Sequence, residues 1–252
     1  MIEIFILSLI QGVTEFIPIS SSSHLILISD FLNFNNNNLS IDVSLHMGSF
    51  LAVTFYFKKD IFEFIENKKI FFKILIASIP VMFVGFILVR FNLIDQLRNI
   101  KIIGWTTLIF GFLLFYSDQY KNIKKINLNL NYKSAIFIGI LQIFSLIPGV
   151  SRSGITITAA RLLKFKRIES AKISFLLSIP TLGVVSIFGI FNILSSDNLN
   201  FSFINLFSIF LSFIFSLITI KYFLKYIKTF SLNVFVFYRI TLGFILLAIA
   251  YL

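Results

Sequence analysis

The apolar stretch at residues 134–160 is interrupted midway by the polar motif Pro148-Gly149-Val150-Ser151-Arg152-Ser153-Gly154-Ile155-Thr156. A proline followed by a glycine stops a continuous helix, so the motif predicts two helical arms joined at this point. Strongly basic segments flank the stretch at 118–133 and 161–172. Because Lys and Arg favour the cytoplasmic side of a membrane, both ends of the stretch should lie on that side. The sequence therefore predicts a re-entrant helical hairpin whose tip carries the polar motif.

A second interrupted segment occupies residues 4–29. It breaks at Pro18 and contains Gln11-Gly12-Val13-Thr14-Glu15-Phe16-Ile17-Pro18-Ile19-Ser20-Ser21-Ser22-Ser23-His24. The segment that follows, 30–42, has no Lys or Arg, which predicts that it lies outside the cell. A hairpin here would enter from the face opposite to the first, and the two tips would meet near the middle of the membrane. Irregular backbone is tolerated at that depth only where protein or a water-filled cavity surrounds it.

The composition predicts a membrane protein. Of the 252 residues, 58% are hydrophobic and only 13% are charged, which is far outside the range of soluble domains. Six further apolar stretches are long enough to cross a bilayer with some tilt: 43–57, 74–89, 102–117, 173–194, 203–220 and 231–252. We therefore expect an all-α polytopic membrane protein forming a single domain over 1–252. It should have about six transmembrane helices plus two re-entrant hairpins that enter from opposite faces.

The four prolines suggest an internal duplication. Each follows an isoleucine; Pro18 and Pro148 belong to the two hairpins, whereas Pro80 and Pro180 lie in Ser-Ile-Pro triplets within predicted crossing helices. One interrupted hairpin and one such helix in each half is the pattern that an inverted-topology repeat would leave. The halves would be roughly 1–117 and 118–252.

The net charge of +11 reflects orientation in the membrane rather than binding of nucleic acid. The basic residues fall in short groups between apolar runs, as expected for cytoplasmic loops that attract anionic lipid headgroups. The predicted cytoplasmic loops are 58–73, 118–133, 161–172 and 221–228, and the predicted external loops are 30–42, with its Asn tract at 33–38, and 195–202. The absence of cysteine excludes disulfides and thiolate metal sites.

The motif at 148–156 has the chemistry of a phosphate site. The guanidinium of Arg152 is permanently charged, and its five donors match phosphate oxygens. Hydroxyls of Ser151, Ser153 and Thr156 surround it, and a helix that restarts near Ser153 would direct backbone amides at an anion. The alternative is that Arg152 reaches a lipid headgroup at the membrane surface, or that it pairs with Glu15 for a structural reason.

The first cluster supplies groups for proton transfer and nucleophilic attack. Glu15 lies four residues after Gln11, so both point the same way on a helix, and a desolvated carboxylate suits general acid or base catalysis. Ser21 is a candidate nucleophile, and His24 could act as base, acid or nucleophile. Ser22 and Ser23 are interpreted as structural. His46, at the start of a predicted crossing helix, is interpreted as interfacial and structural.

Together the clusters predict a phosphoryl-transfer site, a reaction that depends mainly on positioning and charge stabilisation. No acidic cluster indicates a dedicated metal site. Mg²⁺ or Ca²⁺ could still arrive with a diphosphate substrate.

At these residues the chain resembles the undecaprenyl-diphosphate phosphatase family of bacterial membranes, also called bacitracin-resistance proteins. The likeness covers nearly the whole length and includes both motifs, together with Gly48-Ser49-Phe50-Leu51-Ala52-Val53, Ser174-Phe175-Leu176-Leu177-Ser178-Ile179-Pro180 and Tyr238-Arg239-Ile240. The resemblance implies a multi-pass hydrolase of the bacterial cytoplasmic membrane whose site opens to the outer side. Its substrate would be a C55 polyprenyl diphosphate, and its product the monophosphate that carries peptidoglycan precursors. High activity would confer resistance to bacitracin.

Residue by residue, the resemblance carries family roles over to both motifs. The matching positions are Gln11, Glu15, Ser20, Ser21, His24, Ser151, Arg152 and Thr156. One position departs from the usual family pattern, since Ser23 replaces a glycine. Gln11 in place of Glu falls within the family's range. We expect Glu15, Ser21, His24 and Arg152 to be catalytic, with Ser153 joining Gln11, Ser20, Ser151 and Thr156 in binding substrate. The loss of an acid at Gln11 places more of the proton transfer on Glu15 and His24.

The rival interpretation is a transporter of an anion or a prenyl-phosphate lipid, because inverted repeats with hairpins at the midplane are typical of transporters. The serine and histidine set favours chemistry, since transport would need only Arg152 and amide donors. A homodimer is left open by the sequence.

Overall fold

The computed structural model describes residues 1–32, 39–66, 68–91, 93, 95–120, 123–195 and 203–252. Within these ranges the chain is helical, and no β-strand pairs beyond a single bridge between Lys124 and Phe165. The α-helices in chain order are α1 Ile2–Thr14, α2 Ser21–Phe31, α3 Leu39–Tyr56, α4 Lys58–Glu66, α5 Lys68–Arg90, α6 Ile100–Asp118, α7 Ile126–Asn129, α8 Tyr132–Gln142, α9 Arg152–Leu162, α10 Arg167–Ser195, α11 Phe203–Thr229 and α12 Asn233–Tyr251. Short 3₁₀ helices occupy Asp95–Leu97 and Ile143–Leu146. Of the predicted external loops 30–42 and 195–202, residues 33–38 and 196–202 lie outside the described residues, whereas residues 39–42 belong to α3, so the first loop was predicted too long.

Five helices of the described chain are long and apolar enough to cross a membrane. They are α5, α6, α10, α11 and α12, which confirms the all-α polytopic class. The sixth predicted span, 43–57, forms most of α3. This 18-residue helix lies against α10 and α11, and it is not among the five. It carries the polar side chains of Asp42, Ser44 and His46 toward the interior of the protein.

Both interrupted segments break where the prolines predict. Helices α1 and α2, of 13 and 11 residues, are separated by a turn that contains Pro18. Helices α8 and α9, of 11 residues each, are separated by a 3₁₀ turn and Pro148. At a rise of about 1.5 Å per residue each arm is about 16–20 Å long, well short of a bilayer core of about 30 Å. The membrane face from which each pair of arms enters remains a prediction.

Helices of each half of the chain pack against helices of the other half. Helix α1 packs on α11 of the second half, and α8 packs on α5 of the first, while α3 lies against α10 and α6 against α12. This reciprocal packing is the pattern that a duplicated unit would leave, and the duplication itself remains a prediction. The predicted division at 117 and 118 falls at the end of α6. The inverted orientation of the halves remains a prediction.

Three basic segments predicted as loops, 58–73, 161–172 and 221–228, are largely helical instead. Residues 58–66 form α4, 68–73 begin α5, 167–172 begin α10, and 221–228 form the last turns of α11. Lys has a high helix propensity, and its long stem can lie along apolar surface while the ammonium reaches water. A basic run therefore gives the side of the membrane without specifying a loop.

Phenylalanine rings pack around Phe175 of α10, next to the turn that follows α1. Phe16, which is fully buried, meets Phe175 of α10 edge to face with ring centroids 5.2 Å apart. Phe57 contacts the same ring from the C-terminal end of α3, at 6.2 Å. Such aromatic pairs add about 0.5–1.5 kcal/mol beyond their area burial. They hold the turn that follows α1, and with it the neighbouring Glu15, against α10.

Candidate active site

The two helix breaks bring Glu15, Ser21 and Arg152 together. Glu15 is the residue after α1, Ser21 is the first residue of α2, and Arg152 is the first residue of α9. The Ser21 hydroxyl donates to Glu15 Oε2 at 2.7 Å, and Arg152 Nη2 donates to Glu15 Oε1 at 3.0 Å. Each oxygen of one buried carboxylate thus accepts from a different group, a hydroxyl on one side and a guanidinium on the other.

Both helix breaks contain a serine whose φ angle is positive. A serine with positive φ stands directly before the second arm of each hairpin: Ser20 has φ 76° and Ser151 has φ 70°. Non-glycine residues in this region cost roughly 1–3 kcal/mol each and cluster at functional sites. Ser151 also caps α9, because its Oγ accepts from the Gly154 amide at 3.1 Å. The strained turns aim Ser21 and Arg152 into the same space.

Contacts between the hairpins fix their tips to each other. The Ser153 hydroxyl donates to the Ile17 carbonyl oxygen at 2.8 Å, across from one hairpin to the other. The fully buried Arg239 of α12 donates to carbonyls of both tips, including Pro18 at 3.1 Å and Gly149 at 2.8 Å. Sequence reasoning singled out Arg239 only as part of the resemblance, and its structural role was missed.

A cavity of about 480 Å³ opens onto the pair formed by Glu15 and Arg152. One end is polar and is lined by five of the predicted site residues, namely Glu15, Ser20, Ser21, Ser151 and Arg152. Apolar side chains of α5 and α10 form much of the remaining wall, namely Val81, Phe86, Val89, Val184, Val185 and Phe188. Asp42, His46 and Arg98 also line the cavity. The arrangement joins a small ionic site to a larger apolar surface.

Two polar groups at the cavity lack partners within the described chain. Arg152 uses Nη2 on Glu15 and Nη1 on the Ser174 carbonyl at 3.2 Å, but its buried Nε has no acceptor. Gln142 is fully buried and lines the cavity, and neither its Nε2 nor its Oε1 makes a hydrogen bond. Buried polar groups are nearly always paired, so an unpaired amide at a cavity indicates a ligand position. Sequence reasoning missed Gln142, although it precedes Pro148 much as Gln11 precedes Pro18.

Three other predicted substrate-binding residues lie behind the cavity rather than on its wall. Gln11 donates to Glu15 Oε2 at 3.1 Å, as the four-residue spacing predicts. Thr156 is fully buried and donates to Ser174 Oγ at 2.7 Å. Ser153 bonds Ile17, as described above. Their hydrogen bonds support the site residues and the contact between hairpins, and a direct contact with substrate remains a prediction.

Comparison with known proteins identifies the family. The sequence profile described as "Bacitracin resistance protein BacA" matches residues 4–245. The chain belongs to the BacA family. It is 50% identical over 251 residues to the undecaprenyl-diphosphatase of Pelagibacter ubique, with 99% of this chain and 98% of that protein covered. It is also 38% identical to the undecaprenyl-diphosphatase of Jannaschia sp. and 39% identical to that of Aliivibrio salmonicida, with 97–98% of each chain covered. The resemblance found from the motifs is confirmed.

The BacA-family histidine His24 does not contact the Glu15, Ser21 and Arg152 group. Its Nδ1 donates to the Ser20 carbonyl at 2.6 Å, and its Nε2 then accepts from the Tyr238 hydroxyl at 2.5 Å. The two rings stack with centroids 5.7 Å apart. Both ring nitrogens therefore have protein partners, and His24 is not among the residues that line the cavity. A direct part of His24 in the reaction remains a prediction.

The second histidine, His46, is on the cavity wall instead. Its Nδ1 donates to the Asp42 carbonyl at 2.8 Å, one turn earlier in α3. The sequence interpretation gave His46 an interfacial, structural role. In this chain the cavity that contains the Glu15 carboxylate and the Arg152 guanidinium is thus also lined by the imidazole of His46. The histidine of the serine-rich motif, His24, does not line it.

The described residues contain no group of three or more His, Asp or Glu side chains that could hold a metal ion. A divalent ion that arrives with the substrate remains a prediction.

Proposed function

We propose that this protein removes the terminal phosphate of a polyprenyl diphosphate, with undecaprenyl diphosphate as the main substrate. The observation that carries the proposal is the buried Glu15 carboxylate, held between the Ser21 hydroxyl and the Arg152 guanidinium at the polar end of an apolar cavity. A lipid diphosphate has the matching form, since an anionic head is attached to a long apolar chain. Membership of the BacA family and near full-length similarity to undecaprenyl-diphosphatases support the same substrate.

In the first half-reaction Ser21 Oγ attacks the terminal phosphorus. Its proton passes to Glu15 Oε2, which already accepts the hydroxyl hydrogen bond. The bond from the terminal phosphorus to the bridging oxygen breaks, and the prenyl monophosphate leaves with the electron pair of that bond. Ser21 is favoured over His24 as nucleophile because Ser21 has the adjacent base, whereas both nitrogens of His24 have protein partners.

In the second half-reaction water attacks the phosphoserine, and inorganic phosphate leaves. Glu15 returns its proton to Ser21 Oγ, which restores the starting state. Throughout, Arg152 stabilises the charge on the phosphoryl oxygens, the main requirement of this chemistry. The hydroxyls of Ser20 and Ser151 line the same end of the cavity and complete the polar surface there.

The diphosphate could bring Mg²⁺ or Ca²⁺ bound to its own oxygens, which would neutralise part of its charge. We propose that any such ion travels with the substrate. Assay of phosphate release with a chelator, and then with each ion restored, tests this point.

We infer that the protein lies in the bacterial cytoplasmic membrane with the cavity open to the outer side. The basic residues of α4 and of the end of α11 support a cytoplasmic location for those ends. In this orientation the enzyme would return the carrier lipid to peptidoglycan synthesis. The family description names bacitracin resistance, and we propose that high activity of the enzyme confers it.

The test is phosphate release from undecaprenyl diphosphate by purified protein in detergent. We expect activity in the wild type and none above background in Ser21→Ala or Arg152→Ala. Arg90→Ala, which removes an exposed arginine at the end of α5, is the matched control and should retain activity. Acid quenching should trap a phosphorylated protein that maps to Ser21. Absence of phosphate release from the wild type would overturn the proposal.

A transporter is the second candidate, and the reciprocal packing of two interrupted hairpins favours it. Flux of a prenyl-phosphate lipid across liposomes without any release of phosphate would select transport over hydrolysis.

A further inference from the structure

We propose that His46 is a catalytic base of this phosphatase: it accepts the proton of the water that hydrolyses phosphoserine 21. The inference rests on the proposed function. It concerns a residue of α3 that lies outside both polar motifs.

A second proton acceptor would speed the water step of the cycle, because it would remove a proton from the attacking water. Glu15 takes the Ser21 proton when the phosphoserine forms, and it must give that proton back when the serine oxygen leaves. A carboxylic acid that is donating to the leaving oxygen cannot also accept a proton from the attacking water. General base catalysis of the water step therefore needs a different group, placed on the cavity side of the phosphorus.

The geometry of His46 suits this task. The Asp42 carbonyl oxygen can only accept, so the 2.8 Å contact puts the hydrogen on His46 Nδ1 and leaves the lone pair on Nε2. Within the described chain Nε2 has no hydrogen-bond partner, and the half-buried ring is on the wall of the cavity that also contains Ser21. An imidazole nitrogen without a protein partner thus belongs to a residue that lines the same cavity as Ser21.

His24 lacks this property. Its Nε2 accepts from Tyr238 and its Nδ1 donates to Ser20, so it has no free basic nitrogen, and it lies off the cavity wall. Of the two imidazoles in the chain, His46 alone combines a fixed tautomer with access to the cavity.

The charged groups around His46 balance one for one. Asp42 and Glu15 are the acidic groups at the cavity, and Arg98 and Arg152 are the basic ones. The residues that α10 contributes to the cavity are uncharged, and α11 contributes none of the described lining.

Hydrolysis of phosphoserine 21 forms one bond to phosphorus and breaks another. The water oxygen bonds to phosphorus while the bond from phosphorus to Ser21 Oγ breaks. The water proton moves to His46 Nε2, and the proton held by Glu15 moves to Ser21 Oγ. Phosphate departs, and His46 later releases its proton to solvent through the cavity.

The decisive variant is His46→Gln, examined by rapid quench with undecaprenyl diphosphate. We expect a fast burst of one equivalent of undecaprenyl phosphate, slow release of inorganic phosphate, and accumulation of phosphorylated protein. Steady-state turnover should fall about 100-fold, the usual contribution of a general base. Ser44→Ala is the matched control, because Ser44 lies on the same helix and likewise bonds a carbonyl one turn earlier, at 2.7 Å; it should behave as wild type.

Two further measurements separate catalysis from folding. Phosphoserine 21 should still form in His46→Gln at the wild-type rate, because Glu15 takes the Ser21 proton in that step. Added imidazole should partly restore turnover in His46→Ala. If the wild type releases phosphate but His46→Gln shows no burst and turns over like the wild type, His46 is not the base. Absence of phosphate release from the wild type would instead overturn the proposed function itself.

Discussion

The guanidinium of Arg239, from the last helix, donates a hydrogen bond to the carbonyl oxygen of Pro18 at 3.1 Å, at the break of the first hairpin. It also donates to the carbonyls of Val150 and Gly149 in the second hairpin, at 3.0 and 2.8 Å. Carbonyls freed by the two helix breaks thus share one buried cation. A guanidinium suits this role because its donors point in several directions of one plane.

Arg239→Met should lower both stability and activity. Hydrogen bonds to a charged donor contribute about 1.5–3 kcal/mol, and their loss leaves buried carbonyls unpaired, so we expect the free energy of unfolding to fall by about 3 kcal/mol. The melting temperature in detergent and the rate of phosphate release measure the two effects. Arg90→Met is the matched control at an exposed arginine and should leave both unchanged. Wild-type stability in Arg239→Met would contradict this role.

Glu15→Gln tests the proton acceptor. The amide keeps the shape of the side chain but cannot take the Ser21 proton, and it loses the charge that pairs with Arg152 at 3.0 Å. We expect kcat to fall by about 10²–10⁴-fold, with little phosphoserine formed. Glu63→Gln makes the same change at an exposed position of α4 and should retain full activity. Normal kcat in Glu15→Gln would remove this carboxylate from the mechanism.

Gln142→Leu should separate function from stability. The wild-type amide is fully buried without a partner, so an apolar side chain of similar size should leave the melting temperature unchanged or higher. If the amide binds the diphosphate, KM should rise about tenfold, as expected for the loss of one hydrogen bond of about 1.4 kcal/mol. A lower melting temperature with normal KM would instead assign Gln142 a structural role.

Gly149→Ala should prevent correct folding of the second hairpin. Gly149 has φ +94°, and a Cβ there would lie 2.7 Å from the Ile103 carbonyl oxygen of α6. Both the conformation and the space therefore require glycine. Gly183→Ala provides the contrast, because its Cβ would meet only the Phe50 ring, at 3.3 Å. Yield of folded protein by size-exclusion chromatography should fall sharply for the first variant and little for the second.

Local signals in the sequence predicted much of the framework. Pro18 and Pro148 lie at the two helix breaks, as expected for a residue that removes a donor and clashes with the preceding turn. Pro80 and Pro180 lie inside the continuous helices α5 and α10, so proline alone does not end a helix in every apolar run. The contact between Gln11 and Glu15 follows from helical spacing alone and is present at 3.1 Å. Basic runs were read as loops, which was wrong for most of 58–73, 161–172 and 221–228, since charge selects the membrane side but leaves Lys free to be helical.

The roles of the two histidines could not be read from local pattern. His24 stands in the serine-rich motif, yet its Nε2 is taken by Tyr238, which is 214 positions away in the chain. His46 stands in an unremarkable helix, yet it shares a cavity with Glu15 and Arg152. Which imidazole keeps a free nitrogen depends on helices that meet only after folding.

The sequence by itself determined the helices, the two interrupted segments and the polar groups that they carry, because hydropathy, proline geometry and residue chemistry act within a few positions of the chain. Tertiary structure alone decided that Arg152 meets Glu15, 137 positions earlier, and that Arg239 joins the two hairpin tips. Ion pairs and hydrogen bonds extend only about 3 Å, so they are settled by the packing of distant helices against one another.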